Sequence, residues 1–162
     1  MNVANPAATS DAEHFGESVG LHGRWAVIGA PQFDVGDQPA QGAVHLYRTN
    51  SAGEYELHSM LTASDGSAGN KFGLSVAIRS GILLIGAPHK GAFEYGAAYQ
   101  YNYVDGSWLE TGILDADDQM LIDQIPNERL GTSVAVGTYA GIGGPGSTSS
   151  IPGRALVWSL CE

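Results

Sequence analysis

The stretch that decides the fold is FGESVGLHGRWAVIGAP at residues 15–31, because the chain repeats it twice. It returns as FGLSVAIRSGILLIGAP at residues 72–88 and, in a more divergent form, as LGTSVAVGTYAGIGGP at residues 130–145. The first two copies are 57 residues apart, and the prolines that close all three copies keep the same interval. A fixed period of this length indicates a propeller, a solenoid or another repeat array. We expect a single domain of residues 1–162, with repeats at about 15–71, 72–129 and 130–162.

The middle copy indicates how each repeat begins. Residues 74–78 alternate large and small side chains with the period of two that a half-buried strand shows. A tight turn at Arg79-Ser80-Gly81 leads into the apolar run 82–85, which is typical of a strand buried on both faces. The second strand must end at the GAP triplet, because Pro88 has no N–H to give to a sheet.

Two more strands complete the repeat. Residues 97–103 alternate again, a hairpin turn at Asp105-Gly106 follows, and a fourth strand is predicted at 108–114, with a counterpart at 55–61 in the first repeat. Four antiparallel strands per repeat make one blade of an all-β propeller. Solenoid rungs are shorter, and a β-sandwich needs no fixed period, so these alternatives are less favoured.

One aromatic set has two possible roles. Tyr99, Tyr101 and Tyr103 share one face of the predicted third strand, and Trp108 follows on the fourth. Such a set can stack on sugars, but alternate residues of a blade usually pack against the next blade. We expect these four residues to form core between blades.

The phrases FGxSVA, GxxLLIGAP, GxxYxY and LTASDGSAGNKFG occur in this order and resemble FG-GAP repeats, the blades of the integrin alpha-chain head and of many bacterial surface proteins. The resemblance covers residues 11–158, nearly the whole chain. It implies a β-propeller, typically seven-bladed in that family, and favours an extracellular or cell-surface location. The repeated motif positions are Phe15, Gly16, Gly29, Ala30, Pro31, Phe72, Gly73, Gly86, Ala87, Pro88, Leu130, Gly131, Gly143, Gly144 and Pro145.

Many FG-GAP repeats also carry a calcium loop of the DxDGDGxxD kind between strands one and two. The corresponding turns here, at residues 20–25, 77–82 and 136–140, contain no Asp or Glu. We therefore expect no calcium at these turns and no other cofactor, while calcium elsewhere stays open. Aspartates of such loops more often hold turns through their own backbone. The weak candidates for a hard cation are Asp34 with Asp37, and Asp115 with Asp117, Asp118 and Asp123.

Charge and composition restrict the partners. The chain has 7 Lys and Arg against 17 Asp and Glu, and this net charge of -10 disfavours nucleic acid and anionic lipid surfaces. Cys161 is the only cysteine, so the chain forms no internal disulfide and no thiolate metal cluster. The longest apolar run, 82–85, is too short for a membrane span, and the first residues show no secretory signal. Residue content alone leaves the compartment open.

Two short motifs resemble catalytic or cofactor signatures. GESVG at residues 16–20 matches the nucleophile elbow GxSxG, which needs a strand-to-helix turn. Its counterparts at 73–77 and 131–135 indicate instead that Ser18 belongs to a strand pattern. GIGGPG at 141–146 matches the dinucleotide fingerprint, but a serine-rich segment follows it in place of a helix. We expect no enzyme.

The loops at one end of a propeller usually carry its function. We expect a non-catalytic module that binds a protein or another ligand through the long loops 32–41 and 89–95. A carbohydrate-binding propeller is the alternative, and an accessory domain of a larger surface enzyme is less favoured. The candidate contact residues are Asp34, Asp37, Phe93 and Tyr95.

Three blades are too few to close a ring, which takes about 4 to 8. The third repeat also ends at its third strand, around residues 155–160. We expect a fragment of a longer propeller, a six-bladed ring of two copies, or a partner that supplies the rest, because proteins rarely leave strand edges and apolar faces open. Residues 1–9 are a weak candidate for the missing outer strand, since Pro6 suits such a strand poorly.

Overall fold

The computed structural model describes residues 13–115, 126–146 and 153–160, and in these ranges it contains eleven strands. They form three antiparallel sheets with strands in chain order, which we call blades 1, 2 and 3. The all-β prediction with four-stranded blades is confirmed for blades 1 and 2. The strands are β1 Ser18–His22, β2 Trp25–Ala30, β3 Ala43–Thr49 and β4 Tyr55–Leu61 in blade 1; β5 Ser75–Arg79, β6 Ile82–Ala87, β7 Ala97–Val104 and β8 Ser107–Asp115 in blade 2; and β9 Ser133–Val136, β10 Tyr139–Gly144 and β11 Arg154–Ser159 in blade 3.

The observed strands differ from the predicted ones by one or two residues at their ends. The fourth strand of blade 1 has the predicted bounds. In blade 2, β6 is longer than the apolar run, because Gly86 and Ala87 also pair with β7, opposite Ala98 and Ala97. Pro88 follows immediately, which agrees with its predicted role as the stop of this strand.

In blades 1 and 2, short and long connections lie at opposite ends of the blade. At one end, tight turns join β5 to β6 and β7 to β8, and both central residues of each turn have positive φ, as in Ser80 and Gly81. This is the type I′ geometry that suits the twist of a hairpin. At the other end lie the β2–β3 loop (31–42), the β4–β5 loop (62–74) and the β6–β7 loop (88–96). We call this the long-loop end.

The blades stack with a constant polarity. Gly20 of β1 lies against β5, where an added Cβ would come within 3.6 Å of Val76 and 3.3 Å of Ile78. Val19 and Leu21 alternate with Gly20 and therefore point away from blade 2. We call the side of a blade that meets the next blade its forward face, and the other side its rear face. Strand one thus presents small residues forward and large ones to the rear.

The core fills the wedge between blades 1 and 2. Val27, Val44 and Leu46 on the forward face of blade 1 pack against the rear face of blade 2. Side chains of Tyr99, Tyr101 and Trp108 are at most 7% exposed there, while Tyr103 is half-buried with its ring 5.0 Å from that of Trp25. The prediction that these aromatics form core between blades is confirmed. A smaller cluster joins blade 2 to blade 3 through Ala98, Leu114, Leu130, Val134, Ile142, Leu156 and Trp158.

Backbone hydrogen bonds repeat at the two junctions between blades. The N–H of Phe72 donates to the carbonyl of Gln41 at 2.9 Å, and the N–H of Leu130 donates to that of Tyr95, also at 2.9 Å. In each case, the start of a blade binds the residue two positions before strand three of the preceding blade. Positions 72–73 and 130–131 therefore form equivalent turns. Position 15–16 forms the same turn, since the N–H of Gly16 donates to the carbonyl of Gly29 at 2.9 Å as that of Gly73 does to Gly86. We call these FG turns.

The recurring serine of strand one and the glycine of the GAP triplet both contact the FG turn of the following blade. Ser18 Oγ donates to the carbonyl of Gly73 at 2.7 Å, and Ser75 Oγ donates to that of Gly131 at 2.8 Å. A Cβ on Gly29 would lie 2.0 Å from the Gly73 carbonyl oxygen, so only glycine fits at this contact. The repeated phrase of the sequence is therefore a device for joining blades.

Candidate functional site

A cleft of about 440 Å³ opens at the long-loop end, between the β4–β5 and β6–β7 loops. The β4–β5 loop connects blade 1 to blade 2, and we also call it the blade linker. Because the two blades stack side by side, this loop runs beside the β6–β7 loop of blade 2. The Asn70 side chain reaches across to the carbonyl of His89 at 3.5 Å. We call this the Lys90 cleft; its polar and aromatic lining includes Asp65, Asn70, His89, Lys90, Tyr95 and Asp115.

Lys90 is the centre of the charge arrangement. Its Nζ lies 2.9 Å from Asp65 Oδ2 and 2.6 Å from Asp115 Oδ2, and only 17% of its side chain is exposed. The buried Tyr99 hydroxyl donates to the other oxygen of Asp65 at 2.6 Å. The Lys90 ammonium, on the β6–β7 loop, thus forms ion pairs with the β4–β5 loop through Asp65 and with the end of β8 through Asp115.

These contacts set the pKa values of the cleft. Burial acts to raise the pKa of Asp65, but hydrogen bonds from Tyr99 and Lys90 outweigh it, and the pKa lies below its ordinary value. Burial likewise acts to lower the pKa of Lys90, but the hydrogen bonds and charges of Asp115 and Asp65 prevail and raise it. Both groups are therefore held in their charged forms at neutral pH.

A second ion-pair group lies at the rim, where the cleft approaches blade 3. His89 Nδ1 lies 3.0 Å from Glu94 Oε1, and Arg129 Nε donates to Glu94 Oε2 at 2.7 Å. The hydrogen bonds from Arg129 and then His89 hold the pKa of Glu94 below its ordinary value. The β6–β7 loop is thus fixed on both sides by charged contacts.

The structure brings together two of the four predicted contact residues. Phe93 and Tyr95 lie on the β6–β7 loop with ring centroids 5.8 Å apart; Tyr95 lines the cleft, and Phe93 is 58% exposed. Asp34 and Asp37 lie on the β2–β3 loop, exposed and outside the cleft lining. Asp34 Oδ1 accepts the N–H of Ala40 at 2.8 Å, so this aspartate holds its own loop.

The cation candidates have different outcomes. Asp115 is paired with Lys90, whereas Asp117, Asp118 and Asp123 lie outside the described residues. Within the described part of the chain, no three His, Cys, Asp or Glu side chains are grouped as metal ligands. The Lys90 ammonium lies between the Asp65 and Asp115 carboxylates and neutralises one of their two negative charges.

The structure also accounts for the GxSxG match. Ser18 opens strand β1, and its hydroxyl is engaged with the backbone of blade 2 rather than presented on a strand-to-helix turn. The equivalent Ser75 makes the same contact one blade later. This supports the interpretation of the motif as a blade junction.

In the ranges that the structure covers, no helix is long and apolar enough to cross a membrane.

Sequence reasoning included His89 and Lys90 only as part of the predicted contact loop 89–95, and it assigned no binding role to Asp65. Asp65 lies in the β4–β5 loop, and nothing in the local pattern singles out any of these three side chains. The available signal was topological. If each linker runs beside the β6–β7 loop of the next blade, then polar residues in both segments must face one another.

Comparison with known proteins identifies the repeats. The family model of the FG-GAP repeat matches residues 3–47 and 55–101, which together make up more than half of the chain. No curated protein matches the chain.

Proposed function

Because the chain belongs to the FG-GAP repeat family, whose β-propeller-like domains serve as interaction modules, we propose that it is a non-catalytic binding module and that the Lys90 cleft is its ligand site. The single observation that carries the proposal is this preorganised polar cleft at the long-loop end. Loops held by a rigid scaffold are where propellers and related folds place their binding groups.

The pKa directions favour binding over catalysis. A general base works best with a pKa near neutrality, and a nucleophilic lysine needs a lowered pKa. Here the pKa of Asp65 is lowered and that of Lys90 is raised, so both shifts lead away from proton transfer at neutral pH. Fixed charges of this kind are suited to orienting a polar ligand.

A carbohydrate is the second candidate for the ligand. Phe93 and Tyr95 place two aromatic rings at the rim, and the cleft beside them offers the hydrogen-bonding groups of Asn70 and Asp65. An apolar ring face next to a few fixed polar groups is a suitable surface for a sugar. A protein ligand would use the same rim with an extended side chain.

The proposal can be tested with a glycan array followed by titration of any hit against the full chain. We expect the double variant Phe93→Ala/Tyr95→Ala to weaken binding by about tenfold or more, which corresponds to about 1.4 kcal/mol. Leu109→Ala is the matched control, since Leu109 is 51% exposed on β8 away from the cleft, and it should bind as the wild type does.

Two results would contradict the proposal. Equal binding by the double variant and the wild type would move the ligand site elsewhere. A saturable hydrolytic activity that disappears in Ser18→Ala would show that the protein is an enzyme after all. An array with no signal would remove the carbohydrate candidate and leave a protein ligand, to be tested with the same variants.

A further inference from the structure

Two faces of the three-blade stack have no neighbour among the described residues. The exposed part of the rear face of blade 1 is strand β1, where Val19 and Leu21 are 58% and 67% exposed; Ala26 and Ile28 on the neighbouring β2 are buried. On the forward face of blade 3, Tyr139 and Val157 are 60% and 69% exposed. Apolar side chains clustered on an open sheet face usually indicate an interaction surface.

The two open faces follow the rule that joins the blades inside the chain. Val19 and Leu21 occupy the positions of Val76 and Ile78, which pack over Gly20 at the junction of blades 1 and 2. On blade 3, Ala135 occupies the position of Gly20 and is exposed. The rear face of blade 1 thus presents the large residues, and the forward face of blade 3 the small one, that a junction requires.

The forward face of blade 3 also retains the residues that receive an FG turn. Ser133 and Gly143 are the counterparts of Ser18 with Gly29 and of Ser75 with Gly86. At the two internal junctions, these residues contact the carbonyl of the next FG glycine. A Cβ on Gly143 would lie 2.6 Å from the Ser133 side chain. Unlike Gly29 and Gly86, Gly143 has no FG turn of another described blade within 4 Å of that position.

Blade 1 carries the matching FG turn. Gly16 has a φ of +95°, close to the +91° of Gly73 and the +87° of Gly131, so its backbone already has the junction conformation. A Cβ on Gly73 would lie 2.7 Å from the carbonyl oxygen of Ala43, and one on Gly131 would lie 2.0 Å from that of Ala97. A Cβ on Gly16 would meet nothing within 4 Å, so no carbonyl of another described blade contacts this FG turn.

We propose that the forward face of blade 3 binds the rear face of blade 1 of a second copy of this chain, with Phe15 and Gly16 docking on Ser133 and Gly143. Among the described residues, one FG turn and one docking site of the same polarity have no neighbour. Two copies joined at both ends give six blades, within the range of about 4 to 8 that closes a propeller. A head-to-tail contact of this kind is saturated once the ring closes.

Light scattering on the purified full chain is the first test. We expect twice the chain mass of 16.9 kDa, and we expect Ala135→Arg to give a folded species of 16.9 kDa, because the arginine would displace Leu21 of the other copy. Leu109→Arg, on an exposed position of β8, is the matched control and should keep the double mass. Circular dichroism shows whether each variant has kept its strands.

A monomeric wild type, a mass that grows beyond two copies, or a dimer that persists in Ala135→Arg would overturn the proposal.

Cross-linking then locates the contact independently of any variant that fails to fold. In a Cys161→Ser background, we expect Leu21→Cys and Ala135→Cys chains to form a disulfide when mixed, while Leu109→Cys mixed with Ala135→Cys should not. An equal yield in both mixtures would contradict this pairing of faces. None of these measurements depends on the ligand proposal.

Discussion

At the scale of single residues, the glycine of the GAP triplet has a steric role. A Cβ on Gly86 would lie 1.9 Å from the carbonyl oxygen of Gly131. Because this oxygen belongs to the backbone of an FG turn, relieving the clash would require the backbone to shift, which costs free energy. We expect Gly86→Ala to lower the free energy of unfolding by about 2 to 3 kcal/mol, as severe overpacking does. Urea unfolding followed by circular dichroism measures this change.

Gly112→Ala provides the control for this substitution. Gly112 also lies in a strand of blade 2, but a Cβ there would meet nothing within 4 Å. We expect it to be neutral or slightly stabilising, because alanine restricts the unfolded chain more than glycine does. Equal losses for both variants would mean that the blade junction is not the source of the effect.

A second prediction at this scale concerns Asp65 and pH. The pKa of Asp65 is lower in the folded protein than in the unfolded chain, so the folded state binds fewer protons in that range. The resulting stability is present above the unfolded pKa and is lost as the pH falls through the folded pKa. We expect Asp65→Asn to reduce the loss of stability between about pH 5 and about pH 3.

Urea midpoints measured across this pH range test the prediction, with Asp37→Asn as the control on an exposed loop. The Asp37 variant should keep the acid sensitivity of the wild type. Because 43% of the Asp65 side chain is exposed, solvent screens part of the effect, and the shape of the pH profile is the informative readout. Identical profiles for all three proteins would contradict the role assigned to Lys90.

At the scale of elements, the turns between strands one and two bear on calcium only at those turns, where many FG-GAP repeats carry a calcium loop. The β5–β6 turn is closed by Ser80 and Gly81 alone, so it is a two-residue hairpin with no space for a ligand loop. We expect the melting temperature to be the same in excess calcium and in excess chelator. A ligand of the native state must raise the melting temperature, so a clear calcium-dependent rise would contradict this and indicate a site.

The elements were also the part of the fold that the sequence predicted best. Alternation with period two placed β7, and the GAP triplet placed the end of β6 to within two residues. The roles of Ser18 and Gly29 could not be read in this way, because their partner Gly73 is more than 40 residues away. Of the cleft, Tyr95 and Asp115 were predicted as candidate site residues and Lys90 only as a member of the contact loop 89–95, whereas no local pattern indicated Asp65.

At the scale of the whole molecule, the proposed ring makes stability depend on concentration. If the open faces of blades 1 and 3 are buried between two copies, dilution must favour the unfolded chain by mass action. We expect the melting temperature to rise with protein concentration for the wild type. It should be independent of concentration for Ala135→Arg, and a concentration-independent wild type would contradict the ring.

The sequence by itself determined the strands, their order within each blade and the number of repeats, because alternation, turn residues and proline stops act over a few neighbouring residues. Only the tertiary structure decided which faces meet and which charges converge. The Lys90 cleft joins Asp65, Lys90 and Asp115 from three segments, and the blade junctions join Ser75 to Gly131 across 56 residues. Such contacts depend on how whole blades stack, and stacking is set by the packing of residues that are distant in the chain.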